Sequence, residues 1–159
     1  MSRFHTLRRE QWIPQPLEEV FAFFSDARNL EEITPSWLGF QILTPGPIQI
    51  AAGTRLRYRL RVHGLPLSWT TEIRRWEPPF RFVDVQLNGP YSLWHHTHLF
   101  EARNGGTQMT DIVRYRLPFG LLGRAVHALK VRSDVEKIFD YRFKRIGEWF
   151  AAAAVEAPK

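Results

Sequence analysis

Residues 54–62 read Thr-Arg-Leu-Arg-Tyr-Arg-Leu-Arg-Val, an alternation with a period of two residues that a helix cannot use. Successive side chains on a strand point to opposite faces, so Leu56, Tyr58, Leu60 and Val62 share one face and Arg55, Arg57, Arg59 and Arg61 the other. A strand of this kind belongs in a sheet that buries one face and wets the other, which is the antiparallel habit. With His63-Gly64-Leu65-Pro66 as the loop, the return strand pairs Leu60 with Trp69, Tyr58 with Thr71, Leu56 with Ile73 and Arg57 with Glu72. Asp84 on the following strand is a second candidate acidic partner for the arginine row, but the Glu77-Pro-Pro-Phe80 connection does not fix that register.

A second hairpin is specified more tightly. Leu93–Ala102 and Thr107–Leu117 flank Asn104-Gly105, the dipeptide that best suits a type I′ turn because both residues need positive φ. With that loop, Trp94, His96, His98 and Phe100 share a face with Met109, Asp111, Val113 and Tyr115, and His98 lies directly opposite Asp111. This larger, more aromatic set is predicted to face inward.

The two ends of the chain are helical. After a first strand over about residues 3–12, Pro16 suits a first helical position, with Glu18 and Glu19 in the first turn and Val20, Phe21 and Phe24 at helical spacing. A second short helix is predicted over Arg28–Ile33. From Leu122 to Phe150 the apolar residues fall three and four apart, along one helix from residue 121 or two helices broken near residue 132, where Ser133-Asp-Val-Glu136 matches a capping box. No repeat or linker divides the chain, so 1–159 reads as one domain, with 151–159 expected to fray.

Composition narrows the chemistry. The chain has no cysteine, which excludes a disulfide framework, a thiolate metal site and a cysteine nucleophile. The balance is basic, 22 Lys+Arg against 16 Asp+Glu with only four lysines, but four of the arginines occupy one face of one strand, without the interleaved aromatics that stack on bases. Nucleic acid is therefore not an expected partner, whereas peripheral contact with an anionic membrane fits a basic face. No apolar run is long enough to span a bilayer and the first residues lack a signal pattern, which predicts a cytoplasmic protein, monomeric or homodimeric.

The order strand, two short helices, antiparallel strands and long terminal helix resembles the SRPBCC superfamily, which includes START domains and the birch-pollen-allergen proteins. The resemblance rests on Ile13-Pro-Gln-Pro-Leu-Glu-Glu-Val-Phe21, Asp26-Ala-Arg-Asn-Leu30, Gly89-Pro90-Tyr91 with Trp94-His-His-Thr-His98, and Phe139-Asp-Tyr-Arg-Phe143, and spans about residues 3–150. It is nearest to a bacterial polyketide cyclase/dehydrase-type branch. It implies an α+β helix-grip fold, in which a curved antiparallel sheet of six to seven strands wraps a long C-terminal helix. It also implies a hydrophobic ligand (lipid, polyketide or quinone-like) held between them. The superfamily shares no catalytic motif that transfers to particular positions here.

The predicted cavity lining is Trp37, Tyr58, Trp69, Trp94, His96, His98, Asp111, Tyr115, Phe139, Arg142 and Phe143. Tyrosine and tryptophan in that set carry polar groups that need partners when buried. The His98–Asp111 pair has three readings: a structural lock on the hairpin, an anchor for a ligand carbonyl or hydroxyl, or an acid/base pair for cyclisation or dehydration. A membrane-docking carrier with an apolar portal at Trp37-Leu38-Gly39-Phe40 is a further reading. His95 and His96 point to opposite faces, so at most His96 and His98 converge, with Asp111 as a third ligand. One such pair is thin support, and no metal or other cofactor is expected.

Overall fold

The computed structural model describes residues 4–156, with side chains throughout except at Arg124, His127 and Glu156. Strand β1 (His5–Ile13) leads into α1 (Leu17–Ser25), α2 (Asn29–Glu32) and a 3₁₀ turn over Ser36–Leu38. Six further strands follow: β2 (Gln41–Ile42), β3 (Arg55–Val62), β4 (Leu65–Glu77), β5 (Arg81–Asn88), β6 (Leu93–Arg103) and β7 (Gly106–Arg116). The chain ends in α3 (Gly120–Val126), a π turn (His127–Val131) and α4 (Arg132–Glu156). All seven strands form one antiparallel sheet in the order β1-β7-β6-β5-β4-β3-β2, and α4 lies across its inner face in the helix-grip arrangement. Among the described residues no helix is long and apolar enough to cross a membrane.

The β6–β7 hairpin has the predicted register, with His98 opposite Asp111 and Trp94 opposite Tyr115. Asn104 and Gly105 take φ of 52° and 75°, as the tight turn requires. The β3–β4 hairpin differs from expectation. His63 and Gly64 adopt φ of 50° and 78°, so the loop has two residues rather than four. Tyr58 then faces Trp69, Leu60 faces Leu67, Leu56 faces Thr71, and it is Arg55 that meets Glu72. The register moves by two, an even step that leaves every side chain on its predicted face. The arginine row is exposed as expected: Arg55 Nε lies 3.1 Å from Glu72 Oε2, and Arg59 Nη2 donates to Gln41 Oε1 at 2.6 Å.

The C-terminal segment combines the two alternatives read from the sequence. Helical winding is unbroken from Gly120, but the π turn interrupts its α geometry just before residue 132. The Ser133–Glu136 box therefore lies inside a helix and caps nothing. Asp134 instead hydrogen-bonds His63 Nε2 at 2.7 Å and ties the β3–β4 tip to α4. Helix α4 reaches Glu156, into the tail expected to fray, while residues 157–159 lie outside the described residues.

The core is not uniform along the sheet. At one end α1 inserts Val20, Phe21, Phe23 and Phe24 against Ile13, Phe82, Phe100, Met109, Ile146 and Phe150. Phe21 meets Phe82 and Phe100 edge to face. At the other end, among the described residues, no comparable element fills the space between β3, β4 and α4.

Candidate functional site

That unfilled space is a cavity of about 230 Å³, against the roughly 10–15 Å³ that a single water needs. The sheet contributes Leu56, Tyr58, Leu60, Trp69 and Trp94, and α4 contributes Val135, Ile138, Phe139 and Arg142 at helical spacing. Leu30, Ile33, Leu38 and Phe40 close the side next to β2. Most of the wall is hydrocarbon or aromatic. Trp69 and Trp94 meet edge on, with ring centres 5.3 Å apart, and Tyr91 packs against both.

One part of the wall is charged. In the β5–β6 register Asp84 faces His96, and in β6–β7 His98 faces Asp111, so two carboxylates flank two histidines on the inner face. His98 Nε2 lies 2.7 Å from Asp84 Oδ2, and His96 Nε2 lies 2.8 Å from Asp111 Oδ1. The remaining ring nitrogens complete a cross: His96 Nδ1 is 3.7 Å from Asp84 Oδ2, and His98 Nδ1 is 3.2 Å from Asp111 Oδ1. The imidazoles lie tilted against each other with centres 3.7 Å apart, and the Phe82 ring stacks on His98 at 3.9 Å. Arg142 reaches the same group from α4, with Nε 3.7 Å from Asp111 Oδ2 and the guanidinium over the Phe24 ring at 5.5 Å.

Burial and charge act against each other here. Burial alone would raise the Asp111 carboxyl, but the Arg142 charge and the contacts with His96 and His98 hold it well below the usual carboxylate range. Asp84 is likewise lowered, with burial outweighed by the charges of His96 and His98, the His98 hydrogen bond and Arg142. The histidines move in opposite directions. Burial and the neighbouring His98 lower His96, whereas close contacts with Asp111 and Asp84 raise His98 despite its burial. Burial, then the Asp84 charge, pushes the Tyr58 hydroxyl far above its ordinary value, so it stays a neutral donor.

Of the predicted lining, Tyr58, Trp69, Trp94, His96, His98, Phe139 and Arg142 converge on the cavity. Asp111 sits behind the histidines and lines a small separate void with Arg142 and Phe143. Tyr115 is buried beside the cavity wall, among Leu7, Val113, Val135 and Phe139. Two residues point elsewhere. Phe143 is 46% exposed on α4, one position past the inward-facing Arg142. Trp37 is 59% exposed because the 3₁₀ turn directs Leu38 inward and leaves Trp37 against Tyr141, ring centres 5.4 Å apart. Of the predicted portal segment, Leu38 and Phe40 do line the cavity.

The sequence leaves the register of Asp84 unfixed and offers it to the outer arginine row, but the structure turns it to the inner face. Strand β5 carries Phe82, Asp84 and Gln86 on one face and Val83, Val85 and Leu87 on the other. The uniformly apolar set looks like the buried one, yet Leu87 is 43% exposed and Asp84 faces the cavity. The Pro78-Pro79 connection and a register shift in β4 between Ile73 and Arg75 hide the pairing from a sequence reading.

Comparison with known proteins agrees with this architecture. A family model described as "Polyketide cyclase / dehydrase and lipid transport" matches residues 13–143. No curated protein matches the chain. Among solved structures, TTHA0849 from Thermus thermophilus is similar with a TM-score of 0.75 at 21% identity, covering 94% of this chain and 99% of that one. Ms6760 from Mycobacterium smegmatis aligns with a TM-score of 0.69 at 17% identity, over 93% and 92% of the two chains. Ara h 8.0201 aligns with a TM-score of 0.64 at 16% identity, over 94% and 99%. At these identities the likeness concerns the fold.

Proposed function

The chain belongs to the polyketide cyclase/dehydrase and lipid-transport family, and from that premise we propose that it binds a small hydrophobic molecule with one oxygen-bearing end between the sheet and α4. The observation that carries this reading is the contrast within one cavity: an apolar wall on most sides and, at a single place, Asp84, His96, His98 and Arg142 beside the neutral Tyr58 hydroxyl. Few polar groups converging on an apolar cleft fix a ligand's orientation, while the apolar surface supplies affinity. N-Phenyl-1-naphthylamine, an uncharged apolar fluorophore, tests the reading. Saturable uptake of one molecule per chain is expected, and Leu60→Trp and Val135→Trp, which fill the cavity from opposite walls, should abolish it. No saturable uptake, or uptake indifferent to both substitutions, contradicts the proposal.

A second reading, a lipid or quinone carrier that loads at a membrane, is favoured by the segment leading into α4. Phe119, Leu121, Leu122 and Leu129 are 68–84% exposed, and Leu129 is followed by Lys130, an apolar set with a basic residue of the kind that seats at a bilayer surface. Leu121→Asp combined with Leu129→Asp should slow transfer of the fluorophore from anionic vesicles while leaving its affinity unchanged. Equal transfer rates would remove the carrier reading. Native mass spectrometry of protein from its own host separates both from a cyclase or dehydratase using His98 and Asp111, which requires a retained polar oligoketide-like mass rather than a lipid.

A further inference from the structure

We propose that Asp84, His96 and His98 form a site for one divalent first-row transition-metal ion of the zinc type, with Asp111 behind both imidazoles and hydrogen-bonded to His96. The three ligating atoms lie within 4.8 Å of one another, and all three residues line the cavity. Two imidazoles and one carboxylate suit zinc or ferrous iron, not the all-oxygen shell of calcium or magnesium.

Strand geometry supplies the convergence. Positions 96 and 98 are two apart on β6 and so share a face, and Asp84 is brought level with His96 by the β5–β6 register. Ligands about 2.0–2.1 Å from a tetrahedral zinc lie roughly 3.4 Å from each other. His96 Nδ1 and Asp84 Oδ2 are already 3.7 Å apart. His98 Nε2 and Asp84 Oδ2, at 2.7 Å, now share a proton and separate by about 0.7 Å when an ion takes its place.

Two further observations fit an ion rather than a closed hydrogen-bonded lock. Ligating histidines characteristically direct their other ring N–H to a carboxylate. Here both outer nitrogens, His96 Nε2 and His98 Nδ1, converge on the single Oδ1 of Asp111, at 2.8 and 3.2 Å. His98 Nδ1 is buried and makes no hydrogen bond of good geometry among the described residues, so the lock leaves that nitrogen unsatisfied. The open side of the ion would face the cavity, where a ligand oxygen could complete its shell.

The test uses tag-free full-length protein stripped with EDTA and titrated with Co²⁺. One equivalent should give the visible d–d bands of a four- or five-coordinate site and be displaced by Zn²⁺. Asp84→Ala and His98→Ala should abolish the bands. Asp111→Asn should weaken Co²⁺ by roughly 10–100-fold, and His95→Gln, on the opposite face of β6, should change nothing. Absence of bands in the wild type, or the same midpoint in every variant, overturns the proposal. If the triad variants do not fold, the wild type still decides: Co²⁺ must broaden the ¹⁵N-histidine ring signals of His96 and His98 and leave His63 sharp, and the opposite pattern overturns it. Fluorophore uptake needs only the apolar walls, so failure of the metal site and failure of ligand binding are read separately.

Discussion

The two ends of the interior share one sheet and one helix yet are built differently. At the end capped by α1, aromatic and aliphatic side chains interlock, and Ile13, Met109 and Ile146 are each 1% exposed. At the end spanned by β3, β4 and the first turns of α4, equally apolar side chains line a space they do not fill. The Asp–His cluster stands on the border, with Phe82 of the packed end stacked on His98 of the cavity wall. Hydrophobic composition does not distinguish the two ends; the presence or absence of a third element between sheet and helix does. Protein interiors are normally filled to crystal density, so a hollow end maintained beside a filled one points to a place kept for a ligand.

Four substitutions break or sharpen this contrast. The largest loss is expected at the border: Asp111→Ala removes the acceptor facing Arg142 and both histidines, and should cost about 3–5 kcal/mol in chemical denaturation because buried cations are left uncompensated. Ile146→Ala in the packed end should cost about 2–5 kcal/mol, since its neighbours cannot collapse into the hole. Leu60→Ala at the hollow end should cost on the order of 1 kcal/mol, because one side of Leu60 already faces empty space. Its affinity for the fluorophore should fall by more than its stability suggests. Arg61→Gln on the outer face should stay within about 0.5 kcal/mol of wild type. If Leu60→Ala proved as costly as Ile146→Ala, the hollow end would be packed after all.

Much of this fold is legible in the sequence because local signals and long-range pattern agree. Asn104-Gly105 dictates its turn, and the alternation on either side then sets His98 against Asp111 without further information. The α4 stripe is partly legible: Val135, Phe139 and Ile146 follow helical spacing into the interior, whereas Phe143 of the same stripe is exposed and a long amphipathic side chain such as Arg142 can turn either way. The site is legible in part. His96, His98 and Asp111 can be placed together because one hairpin holds them, whereas Asp84 escapes a sequence reading because its strand has apolar residues on both faces and enters through Pro78-Pro79. Histidine in a left-handed turn position is an uncommon choice, so the His63-Gly64 loop reads two residues too long. Trp37 is misplaced for a different reason: a single 3₁₀ turn decides which of two neighbouring apolar residues faces in, and nothing in the local sequence encodes that choice.

The six tryptophans offer the most direct test of the hollow end. Trp69 and Trp94 line the cavity, whereas Trp12, which donates to the Arg103 carbonyl, and Trp149, which packs on Phe23, lie away from it. In ¹⁵N-indole spectra titrated with N-phenyl-1-naphthylamine, the Trp69 and Trp94 signals should shift saturably together while those of Trp12 and Trp149 stay in place. Signals that all move alike, or none that move at saturating probe, would contradict a ligand cavity between this sheet and its helix.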